Sequence, residues 1–147
     1  MTGVVERQSA RVILLDGQDR VLLLRWVHPS QADGVWWITP GGGLEPNEDY
    51  RTGAVRELHE EIGLRLTAGD LTGPVYERDA ESVIETGLVH QHEVYFTARV
   101  DSHDVVTDGW TPFEAATLTG TRWWTRAELA ATSERVAPAN LLELLPA

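Results

Sequence analysis

At 147 residues with 42% hydrophobic side chains, the chain suits one domain with a real core and leaves little room for a second. The lack of cysteine excludes a disulfide framework and thiol chemistry and agrees with a cytoplasmic home. A formal net charge of −11 with no basic run argues against a nucleic-acid polymer as partner, yet admits a small anionic substrate if a bound cation inverts the local field.

Met1 to Ala10 lacks a hydrophobic signal core, and the apolar runs Val12–Leu15 and Val21–Leu24 are too short to span a bilayer, so a soluble protein without membrane association is expected. Arg11–Leu15 and Val21–Val27 are β-rich, and the Asp16-Gly17 pair between them predicts a hairpin. His28 to Gly34 reads as a loop and Val35–Ile38 as the next strand, with Trp36 and Trp37 on opposite faces. Pro40-Gly41-Gly42-Gly43 is a tight turn where backbone approaches something closely.

A long helix is expected to begin at Asn47 or Glu48 and to end at Gly63 as a left-handed cap, with Gly53 inside it pointing to close packing. Leu64–Leu66 leads into a short strand, Val75–Arg78, Ser82–Glu85 and Val89–Val100 read as further antiparallel strands with turns at Gly73-Pro74 and Gly87, and Arg122–Trp124 is a last strand. Thr125 starts a short helix through Ala130, and Pro138 opens a last one whose Leu141, Leu142, Leu144 and Leu145 cap the core. Strands, one central helix, more strands and then short helices make an α+β arrangement with a mixed sheet.

The chemistry concentrates on the long helix. At about 100° per residue, Ala54, Val55, Leu58 and Ile62 share one arc, and Glu57, Glu60 and Glu61 share the neighbouring one. Like charges so spaced destabilise a helix by roughly 0.2–0.5 kcal/mol per pair, and Arg56 alone cannot neutralise three of them. The stripe is either a solvated face or a site for a hard divalent cation, which takes oxygen ligands.

The glycine turn and the helix together give Gly42, five residues, Glu48, seven residues, Arg56-Glu57-Leu58, one residue, Glu60-Glu61, one residue, Gly63-Leu64. This resembles the Nudix box at every defined position. A P-loop reading fails for want of its lysine, and a Rossmann reading fails because strand and helix do not alternate. The Trp123-Trp124 strand followed by Glu128-Leu129 is also similar to the family's pattern.

The resemblance implies the Nudix fold: an α/β/α sandwich with a mixed central sheet, the box forming a loop–helix–loop. It also implies hydrolysis of the diphosphate linkage of a nucleoside diphosphate joined to another moiety, with Mg²⁺ or Mn²⁺ as cofactor. Carried over by position, Glu60 and Glu61 would ligate the cation, Glu57 would be a third ligand or the base that orients water, and the Gly41 carbonyl a further ligand. Arg56 and Glu48 would be a pair that fixes the helix against its loop. A late acid is expected at Glu114, with Glu93 behind it.

The substrate side is less marked. Arg25 is a candidate phosphate clamp, and Trp26, Trp36 and Trp110 are candidate base-stacking groups, each also readable as surface charge or core aromatic. Pro74 and Tyr76 come too soon after the box to match the family's usual ADP-ribose and dinucleotide markers. His90 and His92 alternate on a strand without a third ligand at metal-site spacing, and His59 reads as a solvent-facing helix residue. The rival class is a non-catalytic Nudix-like nucleotide sensor; the intact set of acids favours an enzyme. An isoprenyl diphosphate isomerase of the same fold would need a cysteine this chain lacks. A homodimer is compatible with the sequence.

Overall fold

The unbroken apolar run Val12–Leu15 of the first strand sets the architecture, because successive side chains point to opposite faces, so both faces of the sheet are apolar and each demands a layer. The computed structural model describes residues 5–27, 34–84 and 87–146. In chain order the elements are β1 (Val5–Leu15), β2 (Val21–Val27), β3 (Val35–Ile38), β4 (Gly41–Gly43), α1 (Tyr50–Ile62), β5 (Thr72–Ile84), β6 (Gly87–Arg99), α2 (Pro112–Thr117), β7 (Leu118–Trp124), α3 (Arg126–Ala131), β8 (Val136–Ala137) and α4 (Leu141–Leu144), with a 3₁₀ turn at Ala68–Asp70.

The sheet runs β5-β6-β1-β2-β3-β8, with β4 paired to β1 and β7 paired to β2. It is mixed, since β1 and β6 are parallel and so are β3 and β8, whereas the other pairs are antiparallel. Ala10, Val12 and Leu14 of β1, with Val94 and Phe96 of β6, pack under Ala54, Leu58 and Ile62 of α1. Ile13, Leu15, Leu23 and Tyr95 face the other way, against Leu129 of α3 and Leu141 of α4. The result is the expected α/β/α sandwich. Trp37 and Trp124 meet edge to face at 5.1 Å in that second core, whereas Trp36 takes the other side of β3.

One separation positions the site. β1 and β2 pair at their hairpin end, with Leu15 opposite Val21. Toward its start, β1 instead takes the three glycines of β4, with Ser9, Ala10 and Arg11 opposite Gly43, Gly42 and Gly41. The two halves of the sheet thus part around β4, and the cleft described below lies there.

Several expected boundaries move. The helix is capped by Asp49, which accepts from the Thr52 N–H at 2.8 Å, because Asn47 sits in a left-handed turn at φ 65° and cannot begin it. The Gly63 cap is as expected, at φ 73°. Leu64–Leu66 leads into the 3₁₀ turn at Ala68–Asp70 rather than directly into a short strand; Leu64 closes the cap by donating to the Leu58 carbonyl. The strands expected at 75–78 and 82–85 are one, β5, whose polar middle Asp79-Ala80-Glu81 pairs with His92, Gln91 and His90. β1 starts six residues early, at polar Val5 to Gln8, because its partner β6 continues alongside in register. β4 and α2 were not expected as elements, β7 starts four residues early, and the last helix is a single turn with Leu142 exposed rather than in the core. Residues 28–33 of the expected loop and Glu85 lie outside the described residues.

Among the described residues no helix is long and apolar enough to cross a membrane. Leu58 is fully buried where α1 meets the sheet. Leu58→Ala should therefore cost about 2–5 kcal/mol of folding free energy, measured by chemical denaturation. A cost below about 1 kcal/mol would show that the site helix is not held by this core.

Candidate functional site

The helix α1 carries the site because its acidic stripe is turned inward, onto a strand without side chains. Gly41 donates its N–H to Glu61 Oε1 at 2.9 Å, and a methyl on Gly42 would stand 2.7 Å from the Glu57 carboxylate. Only glycine leaves room there for a carboxylate against the backbone. Glu57 and Glu61 are 8% and 5% exposed, which is unusual for paired acids. From α2, Glu114 reaches in, so that Glu57, Glu61 and Glu114 bring carboxylate oxygens within 4.8 Å of one another.

Burial pushes Glu57 up to about 7, with Glu60 and Glu114 adding to the rise and Arg56 opposing it. Burial also lifts Glu61 well above the ordinary range, helped by Glu57 and opposed by Arg11 and the Gly41 N–H. Such a trio holds either protons or a cation. Hard oxygen donors at this spacing fit a divalent ion such as Mg²⁺ or Mn²⁺, and it is the one such grouping of His, Asp and Glu among the described residues.

Arg56 organises the surroundings. Its guanidinium donates to both oxygens of Glu48 at 2.8 and 2.9 Å, to the Gly43 carbonyl at 2.9 Å, to Glu57 at 3.1 Å and to Glu60 at 3.0 Å. That hydrogen bonding holds Glu48 below the usual carboxylate range. Glu60, nearly half exposed, is thereby turned to Arg56 and does not join the group of three. The Gly41 carbonyl accepts from Arg11 at 3.3 Å.

Glu93, on β6, is not in the acidic group. It is held by Arg11 at 3.0 Å, Arg78 at 2.7 Å and the Tyr95 hydroxyl at 3.0 Å. Burial would raise it, but the two guanidinium groups outweigh that and keep it low. Arg25 lies away from the cleft and donates to Thr119 Oγ1. Trp26 and Trp36 do line the cleft, side by side in register. Trp110 does not; its indole N–H donates to the Glu61 carbonyl at 2.7 Å.

Trp110 belongs to a segment that closes the end of α1. His103 Nε2 and the Val106 N–H both donate to the Ile62 carbonyl, at 2.7 and 3.0 Å, and Gly109 lies against the Glu60 carbonyl. Helix ends leave such carbonyls unpaired, so this segment satisfies them and delivers Glu114 beside the helix it caps. His90 and His92 pair with Glu6, Glu77 and Asp79, and His59 is exposed, as expected.

The cleft has a volume of about 860 Å³. One wall is the acidic group, another is Arg7, Arg11 and Arg78, and Trp26, Trp36, Ile38 and Phe113 make an apolar end. The arginine wall was not singled out from the sequence. Its signal is the alternation Arg7, Ser9, Arg11 on a strand otherwise read only from Arg11 onward.

A carboxyl raised in the folded state stabilises fully below its ordinary value of 4.5, and that contribution is lost as pH rises through about 7 for Glu57. With EDTA present, the thermal midpoint should fall between pH 5 and 8, and Glu57→Gln should flatten the fall. A midpoint that is level or rising over that range in the unsubstituted protein would contradict the buried, crowded state of these acids.

The NUDIX domain model matches residues 5–145. A mouse diphosphoinositol polyphosphate phosphohydrolase 3-alpha is 47% identical over 79 residues, covering 54% of this chain and 45% of that protein. A MutT-like protein of Streptomyces ambofaciens is 32% identical over 84 residues, covering 57% of this chain and 45% of that one. The chain thus spans less than half the length of these curated relatives. A MutT protein structure from Methanosarcina mazei superposes with a TM-score of 0.72 at 18% identity, covering 99% of this chain and 94% of that one, a likeness of fold. With the family model matched from β1 to the end of α4 and its fold reproduced, the chain belongs to the Nudix family.

Proposed function

We propose that the chain is a hydrolase of phosphorus anhydrides that uses a divalent cation, Mg²⁺ or Mn²⁺. On this reading it cleaves the diphosphate linkage of a nucleoside diphosphate joined to another moiety, and one such domain suffices. The observation that carries this is the group Glu57, Glu61 and Glu114, within 4.8 Å and largely buried, at the wall of a cleft large enough for a nucleotide. The phosphohydrolase named among the relatives supports the same reaction class.

In this reading Glu61 and Glu114, with Glu57, hold the cation. When bound, the ion would polarise the phosphoryl oxygens and acidify a water. Glu57, where it is not spent on the ion, is the carboxylate within reach to take the proton of the attacking water. Arg56 and Glu48 keep Glu57 in place through the bonds described above. Glu60, at the rim beside Arg56, adds negative charge that keeps a cation in the site. Trp26 and Trp36 offer an apolar slot in which an aromatic base can stack. Arg25 and Trp110 take no direct part; Trp110 holds the Glu61 backbone.

Release of phosphate from a panel of nucleoside diphosphate derivatives, coupled to a phosphatase, tests this. Turnover should appear with Mg²⁺ or Mn²⁺ and vanish with EDTA. Glu61→Gln should lose more than about a hundredfold in kcat/KM, since removing an inner ligand exceeds the usual effect of its supports. Its thermal midpoint at pH 8 in EDTA should not fall. Metal-independent turnover, or wild-type kinetics in Glu61→Gln, would defeat the assignment, and ligand-induced thermal shifts without turnover would favour a sensor.

A further inference from the structure

The reading above places a diphosphate against the carboxylates but leaves the arginine wall without a task. Three rows run across β5, β6 and β1 on the cleft side: Tyr76, Tyr95 and Arg11; Arg78, Glu93 and Ser9; Ala80, Gln91 and Arg7. In the first two rows the cations are spent, since Arg11 and Arg78 share the single buried carboxylate of Glu93. The third row is different. Arg7 has no hydrogen bond or ion pair among the described residues, although its guanidinium is half-buried and lies flat on Gly43, where a methyl would overlap it.

Burial and the neighbouring Arg11 and Arg56 all disfavour its charge, and only Glu57 favours it. A desolvated guanidinium beside two others is costly unless an anion joins them. Its row neighbour Gln91 is 3% exposed, lines the same cleft, and has Oε1 without a hydrogen-bond partner. Native proteins rarely leave such a group unmet without a ligand to meet it. Ala80, small, completes the row and keeps it open.

We propose that Arg7 and Gln91 form a subsite for a further phosphate of the substrate, beyond the linkage cleaved at the carboxylates. The substrate class is thereby narrowed to compounds with at least three phosphates. The guanidinium fork matches two phosphate oxygens at once, and the Gln91 amide can turn its NH₂ to the same group while its oxygen meets a hydroxyl or water. The proposal rests on the hydrolase reading for which phosphate is cleaved, but not for the existence of the subsite.

The test is binding of two uncleavable probes, imidodiphosphate and imidotriphosphate, to the full chain with Mg²⁺, by calorimetry. The triphosphate should bind at least about tenfold more tightly, the effect of charge-assisted bonds to one group. Arg7→Gln should erase that ratio, and Arg7→Lys should retain part of it. The Arg7→Gln midpoint should equal or exceed that of the wild type, since an unpaired charge is removed, whereas a structural arginine would lower it. Equal binding of the two probes, or an unchanged ratio in Arg7→Gln, overturns the subsite even if metal-dependent hydrolysis is found. An Arg7-dependent ratio without hydrolysis of any substrate would uphold the subsite and fell the hydrolase reading.

Discussion

The Arg56 guanidinium is the constraint on which the rest of the site depends. It forks onto Glu48, which lies on the loop leading into α1, and it reaches the Gly43 carbonyl on β4 and two acids of its own helix. One planar cation thus fixes three pieces of backbone relative to one another, something a lysine's single ammonium could not match. Because Glu48 accepts both bonds and is itself largely buried, the pair is short of competing water. Once the loop and helix are so fixed, Gly41 and Gly42 meet Glu61 and Glu57, and those buried carboxylates line the cleft.

This arrangement stores repulsion. Acids at 57 and 61, one turn apart and buried, are raised by desolvation; Glu57 adds to the rise of Glu61, Glu60 to that of Glu57, and Glu114 to both. The core below compensates: Ala54, Leu58 and Ile62 anchor the opposite side of α1 in apolar contact with β1 and β6. The loop through Trp110 secures the helix end as well. A helix pinned at its start by an ion pair, along its length by packing and at its end by capping bonds can hold charges that would otherwise turn out to water.

How much of this was legible follows from which forces are local. The helix and its glycine cap were readable because they depend on spacing along one segment, and the Arg56–Glu48 pairing because the family resemblance implied it. The hairpin and the opposite facings of Trp36 and Trp37 follow from alternation, again local. What was not legible depends on strand partners far away in sequence. Val5 to Gln8 looks like a polar leader until β6 is laid beside it, and Asp79-Ala80-Glu81 looks like a break until it pairs with His92, Gln91 and His90. Glu93 and Glu114 were both plausible late acids by sequence; only the fold shows that two arginines claim the former and that α2 swings the latter toward Glu57. Trp110 was a candidate stacking group only as a polarisable ring in a late loop, and its indole bond to a helix carbonyl leaves no trace in spacing.

The separation of charge also explains how so acidic a chain can receive an anion. Its net charge of −11 is not spread evenly over the cleft. The carboxylates line one side and Arg7, Arg11 and Arg78 another, with Glu93 cancelling one cation of the latter. Under the proposed function, a ligand that carries its own divalent ion would meet attraction on both sides, with the ion toward the carboxylates and the phosphate oxygens toward the guanidinium groups. Without the ion, the buried carboxyls tend to hold protons instead and offer the ligand no such attraction. On that proposal recognition and metal loading are coupled by electrostatics, and a cleft so divided favours a phosphate ligand with bound cation over either component by itself.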